Sequence, residues 1–174
     1  MLFKQQCFGL LLGCCLLQPL WAAEGLVASE NAVQAAFLYN FALFTEWPEP
    51  AAEDFTICVL ASAPVYEALQ PFKAKQVRGH PVKVTTVATV SQAHSCQILF
   101  VGQAEHAAIK NLPRQLGQAP VLVVAEENSF DPQNVTIILL PQQGRIAFRI
   151  NLTSAKASAL TISSKLLKLA QQVY

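Results

Sequence analysis

Charge is scarce in this 174-residue chain: 13% of its residues are charged, and 12 Lys and Arg against 11 Asp and Glu leave a net charge of +1. The basic residues read as scattered, so neither a nucleic-acid groove nor a membrane-surface patch is expected. Catalytic signatures are missing too. There is no GxSxG elbow, and no Walker or dinucleotide glycine pattern follows an expected strand. His80, His94 and His106 have no CxxC, HxxxH or carboxylate partner at a metal-ligand spacing, so each reads as a surface or loop histidine. No metal, cofactor or enzymatic activity is implied.

What is present begins with a leader. Lys4 precedes an apolar run from Cys7 to Leu17, followed by Pro19, the small pair Ala22 and Ala23, and the acid Glu24. Basic, apolar and small-residue regions in that order make a signal peptide over residues 1–23, cleaved after Ala22 or Ala23. The run is short for a retained anchor. A lipoprotein box ending at Cys14 (Leu11, Leu12, Gly13, Cys14) is the alternative. Cleavage removes Lys4, balancing the charges, and leaves about 150 residues, 24–174, the size of one domain. Cys7, Cys14 and Cys15 leave with the leader. Cys58 and Cys96 then remain in an exported protein, where a single disulfide is the first reading and two buried thiols the second.

Along the domain, Ser29 can cap a helix with apolar residues at Val33, Ala36, Phe37, Phe41 and Phe44 and with Asn40 on the same stripe, ending near Trp47 before Pro48 and Pro50. Short β-rich runs follow at Phe55–Leu60, Val82–Val87, Gln97–Val101, Val121–Val124, Val135–Leu140 and Arg145–Ile150. Helices are expected at Val65–Ala74 and at Glu105–Leu116, the second interrupted near Pro113, and a C-terminal helix from Thr153 or Ser154 to Val173. The alternation predicts an α/β sandwich, a single domain with a mixed, mostly parallel sheet of about six strands flanked by helices. The short link from Pro141 to Gly144 makes the last strand pair antiparallel.

Two features could bind something. Arg145 and Arg149 lie four apart on a strand whose alternate residues are apolar, so both leave one face and could grip a carboxylate. A solvated strand face or ordinary pairing with Glu126, Glu127 or Asp131 is the simpler account and the one favoured. Tyr39, Phe44 and Trp47 form an aromatic corner that could seat a ligand or a protein, or belong to the core.

Several segments together resemble the YfiR family of periplasmic regulatory proteins. They are Ala35 to Pro48 (AAFLYNFALFTEWP), Phe55 to Leu60 answered by Cys96 to Val101, and Phe148 to Leu152 leading to Ile162 to Ala170. The resemblance implies a compact α/β domain that binds the periplasmic region of an inner-membrane signalling protein. In the best-known system it represses a diguanylate cyclase, lowering cyclic di-GMP and biofilm, and an outer-membrane lipoprotein sequesters the repressor. A homodimer stays open. Relatives often carry paired glycines where this chain has Phe130 to Val135 and an acid in place of Arg149, and some carry a second cysteine pair absent here. The partner-binding residues expected are Trp47, Arg145 and Arg149, with Lys165 and Lys168 as the next candidates. A small-molecule-binding subunit with a pocket at the sheet's carboxyl ends is the alternative function, and an envelope scaffold a third.

Overall fold

The computed structural model describes residues 22–48, 53–61, 63–127, 132–142 and 145–174. All of the expected leader except Ala22 and Ala23, and residues 128–131 and 143–144, lie outside them. Helix α1 (Ala22–Phe44) leads into β1 (Thr45–Glu46) and β2 (Phe55–Leu60). Helix α2 (Ala63–Leu69) tightens into a 3-10 turn at Gln70–Ala74, and β3 (Gln76–Val77) turns back into β4 (His80–Val87). After β5 (Ile98–Val101) come a 3-10 stretch, Gln103–Asn111, helix α3 (Leu112–Leu116) and β6 (Leu122–Glu126). The chain closes with β7 (Ile137–Gln142), β8 (Arg145–Ile150), α4 (Leu152–Ala157), β9 (Thr161–Ile162), α5 (Ser164–Leu169) and β10 (Gln172–Val173).

The strands form an eight-stranded sheet in the order β10-β8-β7-β6-β5-β2-β4-β3, and a separate ribbon of β1 with β9. β4, β2, β5, β6 and β7 are parallel, β8 is antiparallel to β7 as the short link requires, and β10 is parallel to β8. The α/β class and mostly parallel sheet are as expected. The strand count is a correction: four strands of two residues each were not expected, because two residues carry no periodicity.

Both faces of the central strands are apolar because both are covered. Ile57, Val59, Ile98, Phe100, Leu122 and Val124 pack beneath α1, α2 and α5 in one core. Cys58, Leu60, Leu99, Val101 and Val123 form the other with Val90 and Ala93 of a 3-10 turn, Ile109, and Leu112 and Leu116 of α3. Helix α1 buries Ala35, Leu38, Phe41 and Ala42, whereas Asn40 is exposed, so the buried stripe is offset from the expected one. The helix is apolar on both flanks, and only the sheet beneath it decides its rotation; Phe41 meets Phe148 edge to face at 5.2 Å.

The expected C-terminal helix is also corrected. Ala159 takes a positive φ of 54°, and two separate caps start two separate helices: Asn151 Oδ1 accepts from Ser154 N at 2.9 Å, and Ser163 Oγ from Leu166 N at 3.3 Å. Between them β9 pairs with β1, burying Ile162, and after them β10 joins the sheet. Likewise α1 ends at Phe44, and Pro113 sits at the start of α3 instead of interrupting a longer helix.

Candidate functional site

The pleat of β8 divides its residues between two faces. Phe148 and Ile150 enter the core beneath α1, and Ala147 packs toward the opposite one. Arg145 and Arg149 share the face of Ala147, as expected. The 3-10 turns and α3 pack on this face against β2, β5 and β6, Ile138 and Leu140 of β7 are still buried there, and on β8 Ala147 and Arg149 are half-exposed. A groove of about 460 Å³ opens there, lined by Glu127, Leu140, Gln142, Arg149, Gln171 and Gln172. Arg149 Nη2 donates to Glu127 at 2.7 Å, and its Nε is buried without a hydrogen-bond partner. Arg145 is exposed at the start of the strand.

The other expected residues are elsewhere. Lys165 and Lys168 are exposed on α5, whose Leu166 belongs to the core beneath α1, so they flank the sheet from the layer opposite Arg149. The ring of Trp47 stands edge to face on Phe55 at 5.0 Å, with Nε1 buried. Tyr39 packs on Phe72 at 5.1 Å and donates its hydroxyl to Gln76 O at 3.1 Å, and Phe44 packs against the same core. The aromatic corner is thus engaged in packing. Cys58 and Cys96, both buried, are joined by a disulfide.

Two neighbouring glutamates at the end of β6 tie the fold together, and sequence reasoning offered them only as arginine partners. Glu126 points toward α1: its Oε1 accepts from Gln34 Nε2 at 2.5 Å and its Oε2 from Gln103 N at 3.0 Å. Glu127 leaves the other face for Arg149. Gln34 is 1% exposed and its Oε1 has no partner. Beside it His106, 8% exposed, corrects the expectation of a surface histidine. Burial pushes its imidazole pKa below the ordinary value, opposed by Glu126, whose charge and backbone hydrogen bond favour the proton, and by Glu105. Among the described residues no group of three or more His, Cys, Asp or Glu could hold a metal ion. No described helix is long and apolar enough to cross a membrane.

A further signal was legible and missed. The basic residues are scattered, but the acids are not: every Asp and Glu lies at or before Asp131, and residues 132–174 carry Arg145, Arg149, Lys156, Lys165 and Lys168 with no acid among them. The near-zero net charge hides this polarity. The fold then gathers that stretch at one edge of the sheet, in β7, β8, α4, α5 and β10.

No curated protein matches the chain. Among solved structures, a conserved domain protein of Vibrio cholerae O1 biovar El Tor is similar with a TM-score of 0.55 and 15% identity, over 82% of this chain and 60% of that one. The ABC domain from Streptococcus pneumonia, solved in complex with L-Trp, is similar with a TM-score of 0.54 and 13% identity, over 83% of this chain and 60% of its own. The chain therefore spans about 60% of the length of these structures, and at such identities the likeness is one of fold. The sequence model of the family described as DUF4154, YfiR/HmsC-like, matches residues 31–171, and the chain belongs to that family.

Proposed function

We propose that this protein is a periplasmic regulator, exported by the leader 1–23, that represses a membrane signalling protein by binding its periplasmic region. The observation that carries this reading is family membership across residues 31–171. The Cys58–Cys96 disulfide supports it, since such bonds persist in oxidising compartments. A diguanylate cyclase is the partner class suggested by the family resemblance, with an outer-membrane lipoprotein as the competing ligand. Arg145, Arg149, Lys165 and Lys168 supply the contact, and Trp47 supports it by holding the end of β1 against β2. Arginine and tryptophan are frequent interface anchors, but the packing of Trp47 makes its substitution a test of folding.

Deleting the gene raises cyclic di-GMP, and the wild-type gene restores it while a gene encoding Arg145→Glu and Arg149→Glu does not. Melting curves of the purified variant separate folding from recognition. Unchanged second-messenger levels on deletion would sink the reading.

A second reading, a small-molecule-binding subunit, is favoured by one observation. The unpaired, buried Gln34 Oε1 lies where Glu126 and Gln103 end and follow parallel strands, the place where such sheets take ligands. The similar domain solved with L-Trp is consistent with it. Native mass spectrometry of protein taken from the periplasm decides: a retained metabolite supports the second reading.

A further inference from the structure

We propose that the outer edge of the β8–β10 ladder, with the cations on either side of it, is a docking site where an extended acidic segment of a protein partner adds to the sheet as its next strand. The proposal rests on the reading of the chain as a protein-binding regulator and names the chemistry of the partner.

Four observations converge on this edge. First, it is open. β10 is the last strand of the sheet and its inner side is bonded to β8, with Gln171 N donating to Phe148 O at 2.9 Å and Tyr174 N to Ile150 O at 3.0 Å. The register pairs only Arg149 and Ile150 of β8 with β10, and Gln171 N takes the carbonyl of Phe148, so residues 145–147 face no described strand on that side. The opposite edge is treated differently: the Tyr39 hydroxyl caps the carbonyl of Gln76 in β3. An uncovered strand edge is a template for another strand.

Second, the edge is apolar beside its backbone. Of the four exposed large hydrophobic residues among those described, Leu169 (70% exposed), Val173 (39%) and Tyr174 (41%) lie in α5 and at or beside β10. Third, it is basic on both sides. Arg145 and Arg149 flank it from one face and Lys165 and Lys168 from α5, and the one carboxylate among the described residues of the groove, Glu127, is held by Arg149. Fourth, the groove beside it presents the side-chain amides of Gln142, Gln171 and Gln172. Open main-chain donors and acceptors fit a polypeptide, and cations in excess of acids fit a carboxylate-bearing one.

The test uses the full exported chain and three synthetic octapeptides. One alternates Val and Glu, the second alternates Val and Lys, and the third repeats the first with alternate amides N-methylated. The acidic peptide binds, its affinity falls as salt rises, and the other two bind at least about tenfold more weakly. Arg145→Glu with Lys165→Glu weakens the acidic peptide by at least about tenfold while leaving the melting curve unchanged, since both residues are exposed. Equal binding of the Glu and Lys peptides overturns the charge argument, and indifference to N-methylation overturns strand addition. Tighter binding to phosphatidylglycerol vesicles than to the acidic peptide overturns the choice of a protein partner.

A cellular arm separates this proposal from the regulator reading. If deletion changes signalling and the charge-reversed variant complements it fully, the docking site is wrong and the regulator stands. If the peptides behave as expected but deletion changes nothing, the docking site stands and the regulator reading falls.

Discussion

The middle of the sheet and its β10 edge are built to different rules. In β2, β5 and β6 the strands are buried on both faces, and a disulfide ties β2 to the start of β5. In β8 the face of Arg145 and Arg149 is only partly buried, the outer edge of β10 pairs with no described strand, and every charged side chain after Asp131 is basic. Burial on both faces leaves a strand no freedom to present anything, whereas a half-covered strand can hold the fold with one face and meet a partner with the other. On this comparison, perturbing the first region costs stability and perturbing the second costs recognition.

The largest effect is expected at the disulfide. Cys58 and Cys96 close a loop of 38 residues, which restricts the unfolded chain by about 4 kcal/mol in the entropy model. Replacing both with serine lowers the denaturant midpoint accordingly, and reduced wild-type protein matches the variant. If the oxidised and reduced wild-type midpoints coincide, the staple contributes nothing.

Next comes the polar tie at the end of β6. Glu126→Ala leaves Gln34 Nε2 and Gln103 N without their acceptor, at a cost of about 1–3 kcal/mol. Adding Gln34→Leu recovers part of it, because the buried amide is then gone. Equilibrium unfolding of the two variants measures both steps, and a double variant less stable than the single one contradicts the account.

A smaller effect is pH-dependent. His106 is held below its ordinary pKa mainly by burial, so the folded state favours the neutral ring. The unfolded chain therefore takes up the proton first as pH falls. This stabilisation is whole above the ordinary value of about 6.5 and is lost as pH falls through the lowered folded value. Unfolding measured from pH 8 to pH 5 shows a decline that His106→Gln reduces; an equal decline in that variant assigns the effect elsewhere.

The smallest effect is expected at the partly buried face of β8. Glu127 and Arg149 are partly exposed, so their ion pair contributes only about 0–1 kcal/mol in a double-mutant cycle. A coupling well above that range would make this face as structural as the buried middle of the sheet, and would dissolve the comparison.

Six of the ten strands among the described residues were legible because Val, Ile, Leu and Phe recur there in runs bounded by turn residues. The C-terminal region misled: Ile162, Leu166, Leu169 and Val173 keep helical spacing, yet they divide between two strands and a helix. Local spacing cannot register that Ile162 is claimed by β1, more than a hundred residues earlier in the chain. The candidate site was legible in part. Alternation placed Arg145 and Arg149 on one face, but it could not say that this face lines a groove with Glu127.

The amino-acid sequence by itself determined the α/β class, the antiparallel β7–β8 pair and the basic character of the final 43 residues, because each is a property of composition or of neighbours in the chain. Only the tertiary structure decided which flank of α1 is buried, that Glu126 reaches Gln34 across 92 positions, and that the basic stretch ends at an open strand edge. Those outcomes depend on contacts between segments far apart in the chain, and no local pattern of residues encodes the surface that a distant segment will cover or leave bare.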